Sequence, residues 1–181
     1  MIRIPPVALE QTDTKTAATL SQVKAKLGML PNLVATLARA PAALEGYLKL
    51  AEAAAGGRLS TRQRESIAIA VAQENGCEYC LSAHAAMGRA AGLSAADIEG
   101  AREGRATDPL DAAVTAFALA VVRARGGVAD ADLDAVRKAG VDDGIVIEIV
   151  AHVALNVFTN YVNRVAGTEV DFPVYRLRAA A

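Results

Sequence analysis

The stretch RESIAIAVAQENGCEYCLSAHAAMGRAAG, residues 64–92, decides the fold class. Its apolar residues from Ile67 onward recur at helical spacing and end at Asn75-Gly76, a pair typical of a helix end because glycine adopts the left-handed conformation that stops a helix. A second helical run opens at Cys77. The stretch therefore predicts two helices joined by a tight turn, with both cysteines of the chain at the start of the second helix.

The two cysteines, Cys77 and Cys80, fall in the first turn of that helix, where free backbone N–H groups and the helix dipole favour a negative charge. This position lowers the pKa of a thiol and raises the fraction of thiolate, which is the reactive form. His84 lies one turn after Cys80 on the same helix face, and Glu65 lies one helix upstream. The pattern predicts a redox dithiol with its own acid–base partners.

Start and stop signals for helices recur along the whole chain. Ser60 with Gln63 forms a capping-box pair, and Pro41 is typical of a first helical turn. The last long run, from about Asp143 to Ala166, begins with the β-branched segment IVIEIV. Its length of about two dozen residues without a turn signal favours a helix over a buried strand. We predict a single all-α domain of about seven to nine helices.

An internal repeat is weakly indicated. Placing Glu65 over Glu148 puts Cys77 over Asn160 and Cys80 over Asn163. Any two amphipathic helices align about this well, but the match suggests two pseudo-repeated halves, of which one kept the thiols.

The acid, the dithiol and the histidine together carry a resemblance to a known family. Glu65, eleven intervening residues, the segment CEYC and then His84 resemble the signature of the AhpD-like alkylhydroperoxidases, which belong to the carboxymuconolactone decarboxylase superfamily. LPNLVATLARAP, EIVAHVALNVFTNYVNRVAG and EVDFP also resemble the family, so the resemblance covers most of the chain. It implies an AhpD-like helical bundle, assembled as a trimer or hexamer, that reduces hydroperoxides without a cofactor or metal. A lipoyl-bearing or thioredoxin-like protein would re-reduce it.

The resemblance also implies roles for individual residues. Cys80 would attack the peroxide and become a sulfenic acid, and Cys77 would condense with it to a disulfide. His84 would stabilise the Cys80 thiolate or take its proton, and Glu65 would act as base or proton relay on the Cys77 side. This chain carries Tyr79 where well-studied members have a histidine, so a relay through that position differs here.

Other interpretations stay open at this stage. The two cysteines with His84 and Glu65 would form an irregular zinc site. A non-catalytic redox sensor or scaffold would use the dithiol as a switch of assembly. A decarboxylase of the same superfamily is a third alternative, although such relatives generally lack the dithiol.

A row of polar residues three or four apart follows one face of the last helix: Glu148, His152, Asn156, Asn160, Asn163 and Arg164. Of these, His152, Asn156 and Asn160, together with Tyr79, are candidates for supporting the dithiol. The row either lies against the dithiol or forms a hydrogen-bonded seam between subunits or halves. We favour the seam, because buried polar groups usually serve as hydrogen-bonded structure.

The predicted organisation is an N-terminal extended arm over residues 1–12, an AhpD-like all-α domain over residues 13–168 and a C-terminal tail over residues 169–181. The net charge of −1 indicates no field for nucleic acid or a membrane surface. No run of about eighteen apolar residues and no secretory segment are present, so we expect a cytoplasmic protein. In a reducing compartment a C-x-x-C pair favours redox or metal chemistry over a structural disulfide.

Overall fold

The computed structural model describes residues 1–178, and no strand occurs among them. This part of the chain folds into nine helices, which confirms the all-α prediction. They are α1 Thr14–Leu27, α2 Asn32–Leu37, α3 Pro41–Ala55, α4 Thr61–Glu74, α5 Glu78–Ala90, α6 Ala95–Ala101, α7 Pro109–Ala124, α8 Asp130–Lys138 and α9 Asp143–Ala166.

The start and the end of α4 follow the predicted signals. The Ser60 hydroxyl accepts a hydrogen bond from the Gln63 backbone N–H at 3.2 Å, and the Gln63 side chain accepts one from the Ser60 N–H at 2.9 Å. This reciprocal pair satisfies two N–H groups that a helix start leaves without partners. At the other end Gly76 has φ +64°, the left-handed conformation that stops the helix and turns the chain into α5.

The central helix of the fold is α4, which packs against α5, α7 and α9. Every residue from Ser66 to Ala72 is buried. Ile69 and Ala72 belong to an apolar cluster that also contains both cysteines, whereas Ile67 and Val71 belong to a second cluster shared with α7 and α9. This middle segment of α4 is buried on all sides and contributes to both clusters, so α4 joins the two halves of the core.

The longest helix, α9, packs against α2, α3, α4, α5 and α7. Its β-branched opening is helical, as its length predicted. By length and composition alone it is the one helix within residues 1–178 that is long and apolar enough to cross a membrane. The core helix of a soluble protein meets the same criterion, and the contacts of α9 on five other helices agree with that role.

The proposed pseudo-repeat stays a prediction. The pairing of Glu65 with Glu148 sets two separate helices, α4 and α5, against the single continuous helix α9. The two thiols and the two asparagines that this pairing relates nevertheless lie close together, because α5 packs against α9.

The N-terminal segment, predicted as an extended arm over residues 1–12, contains one 3-10 turn, Leu9–Gln11. The backbone N–H groups of Arg3 and Ile4 donate to the Ala166 carbonyl at 2.7 and 3.0 Å, which ties the segment to the end of α9. The arm is therefore held against the domain.

The C-terminal segment runs back over the domain after α9. The Asp171 carboxylate accepts a hydrogen bond from the Asn32 N–H at 2.7 Å, and the Tyr175 N–H donates to Ser82 at 2.9 Å. The segment thereby closes over the starts of α2 and α5. The division into residues 1–12, 13–168 and 169–181 stays a prediction, and residues 179–181 of that tail lie outside the described residues.

Candidate functional site

The two thiols lie at the N-terminus of α5. Cys77 is the N-cap residue, and its sulfur accepts a hydrogen bond from the Cys80 backbone N–H at 3.3 Å. The two Sγ atoms are 2.7 Å apart, with both thiols free and each residue only 2% exposed. A short N-capping turn therefore holds the sulfurs close enough for a disulfide to close between them.

The two thiols differ in acidity. The pKa of Cys77 is lowered, first because the Cys80 S–H donates a hydrogen bond to its sulfur, and further by the Cys80 N–H and the positive charge of Arg164. The pKa of Cys80 is raised well above its usual value, first by burial and then by the hydrogen bond to Cys77 and its charge. When the pair loses one proton, Cys77 therefore carries the negative charge and Cys80 holds the proton that the two sulfurs share.

Two asparagines of α9 face the dithiol. The Asn163 side-chain amide donates to the Cys80 sulfur at 3.2 Å. Asn160 is fully buried, its carbonyl oxygen accepts from the Asn75 amide at 3.0 Å, and its own NH₂ finds no partner among the described residues. Both side chains lower the pKa of Cys80, against the larger effect of burial.

The polar face of α9 was expected to form a purely structural seam, and for Asn163 that expectation is wrong. Because α5 packs against α9, the amide of Asn163 reaches the Cys80 sulfur directly. Elsewhere the face is structural: Glu148 accepts hydrogen bonds from the backbone N–H groups of Arg58 and Leu59 at 2.7 and 3.3 Å.

Glu65 and His84 form a pair across the α4–α5 contact. A carboxylate oxygen of Glu65 lies 2.8 Å from Nδ1 of His84, and both side chains are mostly buried. A carboxylate in this position accepts the Nδ1 hydrogen and leaves Nε2 as the second functional nitrogen. Both residues line the same cavity as Cys80. The sequence placed Glu65 on the Cys77 side, whereas its hydrogen bond goes to His84 on the Cys80 side.

A cavity of about 360 Å³ opens in front of Cys80. Cys80 lines it, and Cys77 lies behind Cys80 in the core. The walls come from α2, α3, α4, α5, α9 and the C-terminal segment, and they are mainly apolar, with Leu33, Val34 and Phe172 among them. The cavity could therefore admit a small organic molecule to Cys80 but not to Cys77.

The three remaining candidate residues also line this cavity, each engaged in structure. Tyr79 accepts a hydrogen bond from the Leu33 N–H at 3.2 Å, its ring meets Phe172 edge-on, and burial raises its pKa. Nε2 of His152 donates to the Ala54 carbonyl at 3.2 Å, and burial lowers the pKa of this histidine, which keeps it neutral. Asn156 donates to the His152 carbonyl at 2.8 Å.

Sequence reasoning missed several residues of the site. Asn163 was part of the polar row, and its spacing from Asn160 was the available signal. Tyr47 of α3 and Phe172 of the C-terminal segment line the cavity without any local motif to mark them. Within residues 1–178 no group of three or more His, Cys, Asp or Glu side chains is arranged to hold a metal ion.

Comparison with known proteins finds a family model and several solved structures that this chain resembles. The model of the carboxymuconolactone decarboxylase family matches residues 41–124, the segment that begins with α3 and ends with α7. No curated protein matches the chain.

Solved structures match nearly the whole fold. The alkylhydroperoxidase AhpD core of an uncharacterized peroxidase-related protein from Ralstonia eutropha JMP134 is 27% identical, with a TM-score of 0.85 over 94% of this chain and 92% of that chain. An uncharacterized peroxidase-related protein from Silicibacter sp. TM1040 is 23% identical, with a TM-score of 0.78 over 92% of each chain. The debrominase Bmp8, as a variant bound to 2,3,4-tribromopyrrole, is 19% identical, with a TM-score of 0.79 over 94% of this chain and 92% of that chain.

The fold is all-α within residues 1–178, and one of its inner helices begins with two thiols whose sulfurs are 2.7 Å apart. These two features define a class of helical dithiol proteins. The family match over residues 41–124 and the structural likeness to an AhpD core confirm the resemblance found in the sequence: the fold is AhpD-like, and its segment from α3 to α7 matches the carboxymuconolactone decarboxylase family.

The unequal acidity of the thiols can be tested one thiol at a time. In a Cys80→Ala variant the pKa of Cys77 should rise, because the hydrogen bond that lowers it most is lost. In a Cys77→Ala variant the pKa of Cys80 should fall, because the hydrogen bond and the charge that hold its proton are gone while its burial remains. The measurement is thiolate absorbance in the ultraviolet against pH, with the double variant as the blank. A Cys77 titration that is the same with and without Cys80 would contradict the shared proton.

Proposed function

We propose that the protein is a thiol-dependent peroxidase that reduces organic hydroperoxides through a dithiol–disulfide cycle of Cys80 and Cys77. The observation that carries the proposal is the placement of Cys80, which faces a mainly apolar cavity with Cys77 2.7 Å behind it and the Glu65–His84 pair beside it. A substrate site, a nucleophile, a second thiol and an acid–base pair thus meet at one point, as a thiol peroxidase needs.

The first step forms the sulfenic acid. Cys80 passes its proton to Cys77 along the sulfur–sulfur contact, and the resulting thiolate, held by the Asn163 amide, attacks the terminal oxygen of the hydroperoxide. The O–O bond breaks, the terminal oxygen and its hydrogen stay on Cys80 as S–OH, and the other oxygen leaves with the bonding electrons. His84, oriented by Glu65, gives that oxygen a proton, so the product is an alcohol.

The second step closes the disulfide. The sulfur of Cys77 attacks the Cys80 sulfur, hydroxide leaves and takes the proton that Cys77 had stored, and water is released. The sum is the reduction of one hydroperoxide to an alcohol and water, with the oxidation of two thiols to one disulfide. His84 then regains its proton from solvent.

The reductant must reach a buried disulfide. Because only Cys80 lines the cavity, the incoming thiolate attacks Cys80, and Cys77 leaves. A thiol of lowered pKa is the better leaving group, which suits Cys77 to this role. The 2% exposure of both residues favours a slender dithiol arm of the lipoyl type over a thioredoxin-like surface. A free, buried dithiol of this kind also suits a cytoplasmic protein.

The alternatives have less support. A redox sensor or scaffold needs a dithiol that switches, but it needs neither a cavity in front of Cys80 nor the Glu65–His84 pair. A decarboxylase of the same superfamily needs no pair of thiols at the site. The combination of cavity, acid–base pair and dithiol therefore favours peroxide turnover.

The proposal predicts different behaviour for the two cysteine variants. With an organic hydroperoxide and a dihydrolipoyl reductant, the unmodified protein should consume peroxide repeatedly, and Cys80→Ser should consume none. Cys77→Ser should react once and leave a sulfenic acid at Cys80 that dimedone traps, because the resolving thiol is absent. Peptide mass spectrometry locates the adduct. A dimedone adduct at Cys77 in the Cys80→Ser variant would reverse the roles, and a single oxidation without turnover in the unmodified protein would favour the sensor.

Removal of the charge on Glu65 should slow the reaction without unfolding the site. Glu65→Gln keeps the shape of the side chain but removes the carboxylate that orients the His84 ring, so we expect kcat/KM for the hydroperoxide to fall by about 10²–10⁴-fold. Glu52→Gln, an exposed acid on α3, is the matched control and should match the unmodified protein. Equal rates in the two variants would remove the Glu65–His84 pair from the mechanism.

We further propose that the protein assembles as a homo-oligomer, a trimer or hexamer, through the outer face of α9. Ile147, Val150, Phe158 and Val165 recur at helical spacing on that face, with 67%, 40%, 39% and 60% of their surfaces exposed. An exposed apolar stripe of this length on a core helix is typical of a subunit contact.

Light scattering tests the assembly. The purified protein should have a mass that is a multiple of the 18.7 kDa chain, and Ile147→Lys should lower it by placing a charge in the contact. Val174→Lys, a substitution at an exposed valine outside α9, should leave the mass unchanged. The mass of a single chain for the unmodified protein would contradict the proposal.

A further inference from the structure

Tyr47 of α3 faces the cavity in front of Cys80 and has no part in the steps described so far. Its ring packs against the apolar cluster that contains both cysteines, and its side chain lines the cavity together with Cys80, Glu65 and His84. Burial raises the pKa of its hydroxyl, and the negative charges of Cys80 and Glu65 raise it further. The hydroxyl therefore keeps its proton across the working range of a thiol peroxidase and acts only as a neutral hydrogen-bond donor.

Several other polar side chains of the cavity donate hydrogen bonds within the protein. Arg64 donates to the Leu59 carbonyl and to the Thr61 hydroxyl, and Thr159 donates to the Asn156 carbonyl. Asn156, His152 and His84 are engaged as described above. Within residues 1–178 the Tyr47 hydroxyl makes no hydrogen bond, so it can donate to a molecule bound in the cavity.

The peroxidase step has a need that such a donor meets. When a thiolate attacks an alkyl hydroperoxide, negative charge develops on the oxygen that stays bonded to carbon, and an alkoxide is a poor leaving group. A donor fixed in a mainly apolar cavity stabilises that charge more than water does, because it needs no reorganisation at the moment of reaction.

We propose that the Tyr47 hydroxyl donates a hydrogen bond to the leaving oxygen of the hydroperoxide as Cys80 attacks. This role rests on the proposed peroxidase function. The O–O bond breaks, the bonding electrons go to the alkoxide oxygen, and His84 supplies the proton that makes it an alcohol. Tyr47 shares its hydrogen with that oxygen throughout and keeps it at the end. The hydrogen bond also turns the O–O bond toward the Cys80 sulfur, so Tyr47 selects substrates that carry an acceptor oxygen at this point.

The test compares two oxidants that differ in their leaving group. Tyr47→Phe removes only the hydroxyl. For tert-butyl hydroperoxide, which expels a strongly basic alkoxide, the second-order rate of Cys80 oxidation should fall by about 10- to 100-fold. For peracetic acid, which expels acetate, the rate should change much less, because acetate leaves without help from a donor. The rate of Cys80 alkylation by iodoacetamide should stay the same.

Tyr175→Phe is the control, since it removes a tyrosine hydroxyl that bonds Glu99 outside the cavity. It should leave the rates with both oxidants unchanged. Equal losses on both oxidants in Tyr47→Phe, or no loss on either, would overturn the role of Tyr47 and leave the proposed function intact. If the unmodified protein reduces neither oxidant, the proposed function and this role fall together.

Discussion

The packing around the dithiol is governed by the need to stabilise a negative charge when it forms on the buried Cys77 sulfur at the start of α5. A thiolate out of water is unstable unless hydrogen bonds and a positive charge replace its hydration. Cys77 receives the S–H of Cys80, the backbone N–H of the first turn and the positive field of Arg164. The turn at Gly76 sets the sulfur over the free N–H groups of the helix, and α9 brings Arg164 close, where it also donates to the Asn75 carbonyl at 2.7 Å. The α4–α5 turn and the packing of α9 therefore each supply a group that stabilises negative charge on Cys77.

The more acidic sulfur and the sulfur that lines the cavity belong to different cysteines. Cys77 is acidic but lies in the core, while Cys80 faces the cavity but keeps its proton. A thiolate is oxidised and alkylated far faster than a thiol, so this division protects the resting protein from stray electrophiles. In the proposed cycle one proton also serves twice, first by leaving Cys80 when a substrate is attacked and then by joining the departing hydroxide. Because the sulfurs are 2.7 Å apart, the transfer requires little movement.

Local sequence signals predicted the all-α fold and the position of the two thiols at the start of a helix. The bounds of α4 follow from its capping box and from Asn75-Gly76, the start of α3 follows from Pro41, and the position of Cys77 and Cys80 at a helix start follows from Asn75-Gly76. Which thiol would be acidic did not follow, because the answer depends on burial, on the hydrogen bond between the two sulfurs and on the charge of Arg164, a residue of another helix. The pairing of Glu65 with His84 did not follow from the sequence either, because the two residues lie on different helices. Two helices with known faces can still pack in several rotations, and only the packing decides whether Glu65 meets Cys77 or His84.

The parts of the site have different origins in the chain, and this bears on how the fold can change its substrate. The dithiol, Glu65 and His84 lie on α4 and α5, inside the segment that the family model matches. Asn163 on α9, Phe172 in the C-terminal segment and the walls from α2 lie outside it. A thiolate needs the same support whatever it attacks, whereas the wall residues touch only the bound molecule. The turn that carries the thiols and the walls of the cavity can therefore change independently of each other. Tyr47 shares a feature with each set of residues: it lies on α3 within the matched segment, like the dithiol, and it lines the cavity, like the wall residues. In its proposed role Tyr47 acts on the leaving oxygen of the substrate. Among proteins with this fold, the presence of a hydroxyl at this position should therefore depend on the type of leaving group more than on the size of the substrate.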